Sequence, residues 1–239
     1  TPEGISRGFS LLYRSTDFTE LSTSQYLTDV VRGGVNFGVP ITDTDRVNFT
    51  LDAESTEIKL SETGASAQLR AFVAQYGEDY VNFPLGVSWV RDSRDRAIFP
   101  TTGAVQRLFG EVTLPGSDLE YWKIGYTHRR YFPLSTTFTL ALNLDIGYGD
   151  GYGDTSELPF YEHFYAGGVG TVRGFELYSL GPRDSNGDAY GGNLRTVANV
   201  ELLFPMPGRA FADSVRLAAF FDAGNVFLTN DGGIPASSG

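Results

Sequence analysis

Residues 138–148 read FTLALNLDIGY, with Phe138, Leu140, Leu142, Leu144, Ile146 and Tyr148 at one parity and Thr139, Ala141, Asn143, Asp145 and Gly147 at the other. Side chains of a β-strand point alternately to opposite faces, so this is a strand with one apolar and one polar face. The polar parity carries a full charge, Asp145, and the apolar parity has an aromatic at each end. That combination fits a strand between lipid and an aqueous lumen, because membrane barrels alternate apolar-out with polar-in and collect aromatic rings at the two interfaces.

The pattern repeats in both directions. Trp122, Ile124, Tyr126 and His128 alternate with Lys123, Gly125, Thr127 and Arg129, and residues 104–114 form a further strand joined to them through the turn sequence PGSD at 115–118. Residues 81–91 set Val81, Phe83, Leu85, Val87 and Trp89 on one face; Pro84 lacks a ladder donor and belongs at a bulge or on an unpaired side. Residues 5–14, 31–39 and 47–54 alternate likewise, as do 196–204 and 215–224, giving about nine strands. Residues 55–79 lose the two-residue period. Within them Leu69, Phe72, Val73 and Tyr76 fall at i, i+3, i+4 and i+7, which predicts a short amphipathic loop helix over 65–76 lying across the barrel mouth. The expected fold class is therefore all-β, an antiparallel transmembrane β-barrel segment with a short loop helix.

Composition narrows the function. The 239 residues carry a net charge of −11, which argues against a nucleic-acid partner, since such surfaces need clustered Lys and Arg. There is no Cys, and the two His are isolated, so neither a disulfide frame nor a zinc site is expected, and no metal or cofactor. No apolar run is long enough for a transmembrane helix. The loop acids Asp150, Asp154, Glu157 and Glu162 have no nucleophile placed beside them, and Asp184, Asn186 and Asp188 open a calcium-loop pattern that fails at Ala189 and Arg195. AGGVG at 166–170 lacks dinucleotide-binding spacing, so the chain is not read as an enzyme.

Connections are long after the first, third and seventh predicted strands and short after the second, fourth and sixth, the asymmetry of external loops and periplasmic turns. The external loop 149–193 is the longest, and its Phe160, Tyr161, Phe164, Tyr165 and Phe175 argue that it packs, inside the barrel's own lumen. It contains PFYEHFYAGGVGTVRGF at 159–175, which places Arg173 after the hinge glycines Gly167 and Gly168, between Val172 and the pair Gly174 and Phe175. Strand parity turns Asn199, Glu201, Arg216 and Asp222 inward. Arg173 bridging Glu201 and Asp222 would latch the loop in the lumen, because a guanidinium fork matches carboxylates.

VRGF with its preceding aromatic run, together with FPTTGAVQRLFGEVTLPGSDLEYWK, GYGDGYGD, ANVELLFPMP and FFDAGNVF in this order, resembles the BamA family of outer-membrane barrel-assembly proteins. The wider superfamily also holds two-partner secretion transporters and organelle import barrels. The resemblance implies a barrel of about sixteen strands in the bacterial outer membrane, with a sixth external loop folded inward. It also implies that the motif arginine, Arg173, is bound to Glu201 and Asp222. Preceding POTRA domains, which engage assembly-machinery lipoproteins, and a seam at which unfolded outer-membrane proteins pair are implied too, with outer-membrane lipid as the surroundings. About nine strands, resembling the fifth to the thirteenth, with neither POTRA domains nor seam strands, make residues 1–239 a partial barrel domain, because unpaired strand edges in lipid are not viable. The alternatives are a polypeptide-transporting pore of two-partner secretion and a passive porin.

Overall fold

The computed structural model describes residues 4–18, 25–61, 64–206 and 215–229; the chain ends, on which the expectation of a truncated barrel bears, lie outside them. Ten strands follow one another: β1 (Ser6–Asp17), β2 (Tyr26–Pro40), β3 (Asp45–Leu60), β4 (Asp79–Asn82), β5 (Pro84–Asp92), β6 (Gly103–Thr113), β7 (Tyr121–Pro133), β8 (Thr139–Gly151), β9 (Leu194–Pro205) and β10 (Arg216–Phe227). One helix, α1 (Ala67–Tyr76), stands between β3 and β4. All the strands form one antiparallel sheet in sequence order from β1 to β10, with β4 and β5 both pairing to β3.

The two faces divide as the alternation requires. Phe9, Leu11, Phe49, Leu51, Val87, Leu108, Ile124, Leu144 and Val200 are exposed on the outward face, with Phe9 90% accessible. Cross-strand register aligns them, Leu51 with Leu85, Leu108 with Tyr126 and Ile124 with Tyr148. Aromatics mark both borders of this band. Trp122 packs edge-on against Tyr148 at 5.5 Å near the long-loop end, and Phe138 lies 5.8 Å from Phe204 near the short-turn end. The inward face carries charge, including the ion pairs of Arg32 with Glu54, Arg195 with Asp145 and Lys123 with Glu111.

The main hydrophobic core lies inside the long-loop mouth. Tyr26, Ile58, Tyr80 and Tyr121 from the inner strand faces meet Leu69 and Phe72 of α1 and Leu158, Phe160 and Tyr190 of the longest loop. Ser66 caps α1 by accepting from the Leu69 N–H at 3.4 Å. The helix lies against the loop, with Ala67 N donating to Ser185 Oγ at 2.9 Å.

Two strand expectations change. The predicted strand over 81–91 is divided at Phe83, yet Glu54 faces Asn82 and Leu51 faces Leu85 on a constant register, so Pro84 makes no bulge. Phe83 is served by the 115–118 turn instead, its N–H donating to Ser117 Oγ and its carbonyl accepting from Leu114 N, both at 2.9 Å. The third strand does not stop at Glu54 but continues to Leu60, paired to β2 back to Tyr26. Over this extension Thr56 and Ile58 are buried inward while Glu57 and Lys59 are exposed outward. The faces exchange polarity because water replaces lipid outside and the packed loop replaces water inside.

Candidate functional site: a loop clamped to the inner face

The excursion between β8 and β9, residues 152–193, folds back along the inner sheet face. It pairs with itself through bridges Phe164–Gly192, Ala166–Leu180 and Arg183–Ala189. Gly167 and Gly168 adopt φ of 109° and 88°, which L side chains rarely take, and a Cβ on Gly167 would collide with the Glu176 carbonyl oxygen. Thr171 Oγ1 closes the turn, accepting from Gly167 N at 2.8 Å and donating to Gly167 O at 3.0 Å. Val172 then buries against Ala166, Val197 and Val226, leaving it 2% accessible. That apolar contact sets Arg173 down over β9 and β10.

The Arg173 side chain enters a slot built by those two strands. Register places Phe220 opposite Glu201 and Asp222 opposite Asn199. Arg173 Nε and Nη2 donate to the two Asp222 oxygens, each at 2.6 Å, and Arg173 N donates to Oδ2 at 3.0 Å. Arg173 Nη1 reaches Glu201 Oε1 at 2.8 Å, and the guanidinium lies 3.6 Å from the Phe220 ring centroid. Glu201 is shared with Arg129 of β7, whose Nη2 donates at 2.7 Å. Asn199 Nδ2 donates to Asp222 Oδ1 at 2.9 Å and to the Thr171 carbonyl at 2.7 Å, while accepting from Asn143 of β8 at 2.8 Å. Loop and four strands thus share one polar ladder. Each carboxylate is engaged by a guanidinium, which suits the array to holding a segment.

Arg173, Glu201 and Asp222 therefore lie together, with Val172 packed beneath and Gly167, Gly168 and Gly174 at positive φ. Phe175 departs from the expected aromatic cluster: it is 54% accessible, and its carbonyl accepts from Gly168 N at 3.1 Å. Gly174 turns the chain at φ 91°, carrying the Phe175 side chain away from the core that holds Phe160.

Other contacts were not anticipated. Phe220, Asn199 and Arg129 complete the slot; the Phe220–Phe221 doublet, which breaks alternation in β10, is the signal that an aromatic faces inward there. Glu162, considered above as a loop acid, pairs with Lys123 of β7, which also holds Glu111 at 3.2 Å. The Phe164 ring packs on Gly147 of β8, where an added Cβ would sit 2.7 Å from it, and Arg195 covers that ring at 5.4 Å. His163 is buried, its Nδ1 2.9 Å from Tyr190 O and its Nε2 3.2 Å from Leu158 O. Burial pushes its pKa down to about 4, against the opposing pull of the two carbonyls.

Comparison with known proteins places this geometry. Residues 1–238 match the model of the Omp85 superfamily domain. The chain is 40% identical to outer membrane protein assembly factor BamA of Neisseria meningitidis serogroup B, over 95% of this chain and 30% of that protein. It is 30% identical to sorting and assembly machinery component 50 homolog A of Xenopus laevis, over 82% of this chain and 44% of that one. The crystal structure of Haemophilus ducreyi BamA lacking POTRA domains 1–3 superposes with a TM-score of 0.89 at 25% identity, covering 96% of this chain and 48% of that one. The chain thus spans less than half the length of each of these relatives.

Proposed function

Because this chain belongs to the Omp85 superfamily, we propose that it forms part of a bacterial outer-membrane β-barrel that assembles and inserts other β-barrel proteins. Its likeness to BamA over 95% of its length supports that assignment. The residues described here serve as the central part of the barrel wall. Their sheet has β1 and β10 as its ends in the pairing order, and backbone edges left open in lipid are not viable, so both edges are paired, in this reading by further strands of a larger barrel. Unfolded outer-membrane proteins are the clients, folding by strand pairing and local membrane disturbance without nucleotide or cofactor.

The part played by these residues is to hold the 152–193 loop in the lumen. The observation that carries this is the two-pronged contact of Arg173 with Asp222, reinforced by Glu201. A planar fork holding two oxygens fixes direction as well as distance, so loop seating and the β9–β10 spacing become one degree of freedom. In the full-length protein, Arg173→Ala is expected to expose the loop to external protease and to slow client folding, read by heat-modifiable mobility on gels. Exchanging the charges, Arg173→Asp with Asp222→Arg, should recover part of the loss, with a coupling of about 0.5–3 kcal/mol. Normal client folding and unchanged loop cleavage in Arg173→Ala would sink the latch. A protein that seats its loop yet exports a soluble polypeptide would instead favour the two-partner secretion reading.

A further inference from the structure

Near the short-turn end, the outward face of β5 to β7 becomes cationic. Parity sets Arg91 two residues past Trp89 and Arg130 two past His128, on the side occupied by Leu108 and Ile124. Register puts Arg91 opposite Gln106 and Arg130 opposite Ala104, so the two arginines flank β6 from either side. They line a single groove of about 440 Å³ together with Ser93, Thr102, Gln106 and Phe132. From Trp122 to Arg130 is eight residue steps on β7, about 26 Å along a strand at ~3.3 Å per residue. Barrel strands tilt by ~35–45°, so this is about 20 Å of depth; with Trp122 at one border of an apolar band about 25 Å tall, Arg130 stands close to the other, where its long side chain reaches the headgroup layer.

The guanidinium groups keep donors to spare. Arg130 stacks on Phe132 at 4.9 Å. Arg91 lies 4.0 Å from Asp45, but that carboxylate already accepts from Trp89 Nε1 at 3.1 Å and from the hydroxyls of Thr42 and Thr44 at 2.7 and 3.0 Å. A single oxyanion between Arg91 and Arg130 would meet hydrogen-bond donors from both sides, with Gln106 between them and the ring of Phe132 beside it.

We propose that this groove binds the phosphate of an anionic phospholipid headgroup, clamped between Arg91 and Arg130. The proposal rests on the sheet lying in a bilayer as a barrel wall. It differs from general attraction of interfacial arginines to headgroups in being saturable and local.

The test uses the full-length protein carrying this chain, reconstituted in phosphatidylcholine nanodiscs with a minor share of phosphatidylglycerol and released for native mass spectrometry. The unaltered protein is expected to retain one phosphatidylglycerol in preference to phosphatidylcholine. Arg91→Gln with Arg130→Gln should lower that retention about thirtyfold, the loss of two surface cation contacts. Arg7→Gln, an outward arginine opposite Phe37 on β1 and away from the groove, should leave it unchanged. Arg91→Lys with Arg130→Lys, which keeps the charge, should retain more lipid than the double glutamine variant. Equal retention in the double glutamine variant overturns the proposal. So does an equal loss in Arg7→Gln, or displacement of the lipid by inorganic phosphate alone. Heat-modifiable mobility of each sample reports barrel folding separately: a chain that never folds in the bilayer defeats the barrel reading itself, whereas a folded one that retains no lipid defeats only the groove.

Discussion

Asp222 accepts four donors, three from Arg173 and one from Asn199, and its position illustrates what parity reveals and what it omits. Alternation alone turns Asp222 and Glu201 inward. It does not show that Phe220 floors the slot or that Asn199 ties the Thr171 carbonyl to the sheet, since those contacts depend on register and on the path of the loop. His163 is a second such residue. Its burial is invisible in sequence because the surrounding HFYAGG has no regular period. With the pKa depressed from about 6.5 to about 4, the ring stays neutral while the loop is seated and takes a proton once the loop leaves. Loop seating therefore keeps its full contribution above pH ~6.5 and loses it as pH falls toward ~4, by up to about 3 kcal/mol for a fully realised shift. Glu162 beside it is the titratable neighbour that opposes the shift by its charge, whereas Tyr190, its ring 4.9 Å away, acts through its backbone carbonyl. Protease sensitivity of the loop should rise between pH 6.5 and 4.5 in the unaltered protein, and His163→Phe should flatten that rise; an equal slope in both would remove His163 as the cause.

At the scale of elements, β8 and α1 were legible because each keeps one period from end to end. The extension of β3 was not, because its residues 55–60 reverse the polarity of the two faces at the membrane border and so resemble a break in the period. The loop is the least legible element, since its fold is imposed by the inner sheet face. Gly147 shows this: within the alternation it is merely a polar-parity residue, yet its missing side chain is the seat for the Phe164 ring. Gly147→Ala should push that ring away from Arg195 and Asp145 and destabilise loop seating by about 1–3 kcal/mol, the usual cost of overpacking. Hydrogen exchange over residues 159–166 should accelerate accordingly. Gly170→Ala is the matched control, because a Cβ there meets nothing within 4 Å. Should both substitutions accelerate exchange equally, the packing of Phe164 on Gly147 is not what seats the loop.

For the whole molecule, the decisive property is that the sheet runs in sequence order, with β4 and β5 sharing the place beside β3, leaving β1 and β10 as its two ends. A strand edge is a row of unpaired donors and acceptors, and in hydrocarbon each costs several kcal/mol, so the ends must be met by other strands or by each other. With β4 and β5 sharing one place and every neighbouring pair antiparallel, β1 and β10 run in the same direction, so closure of this sheet on itself would join them as a parallel pair. Further strands between β10 and β1 are the arrangement that the proposed function requires, and because residues 1–239 hold no cysteine, a disulfide within them forms only between introduced pairs. Ala198→Cys with Ala223→Cys replaces residues directly opposite across β9 and β10 and should cross-link readily on mild oxidation of the full-length, membrane-inserted protein. Phe9→Cys on β1 with Ala219→Cys on β10, both on the outward face, should not, because intervening strands, at about 4.8 Å each, would hold the two thiols far beyond disulfide reach. Efficient cross-linking of the second pair would mean that β1 and β10 are neighbours and that these ten strands close by themselves. The larger barrel, and with it the placement of this chain as a central wall segment, would then have to be abandoned.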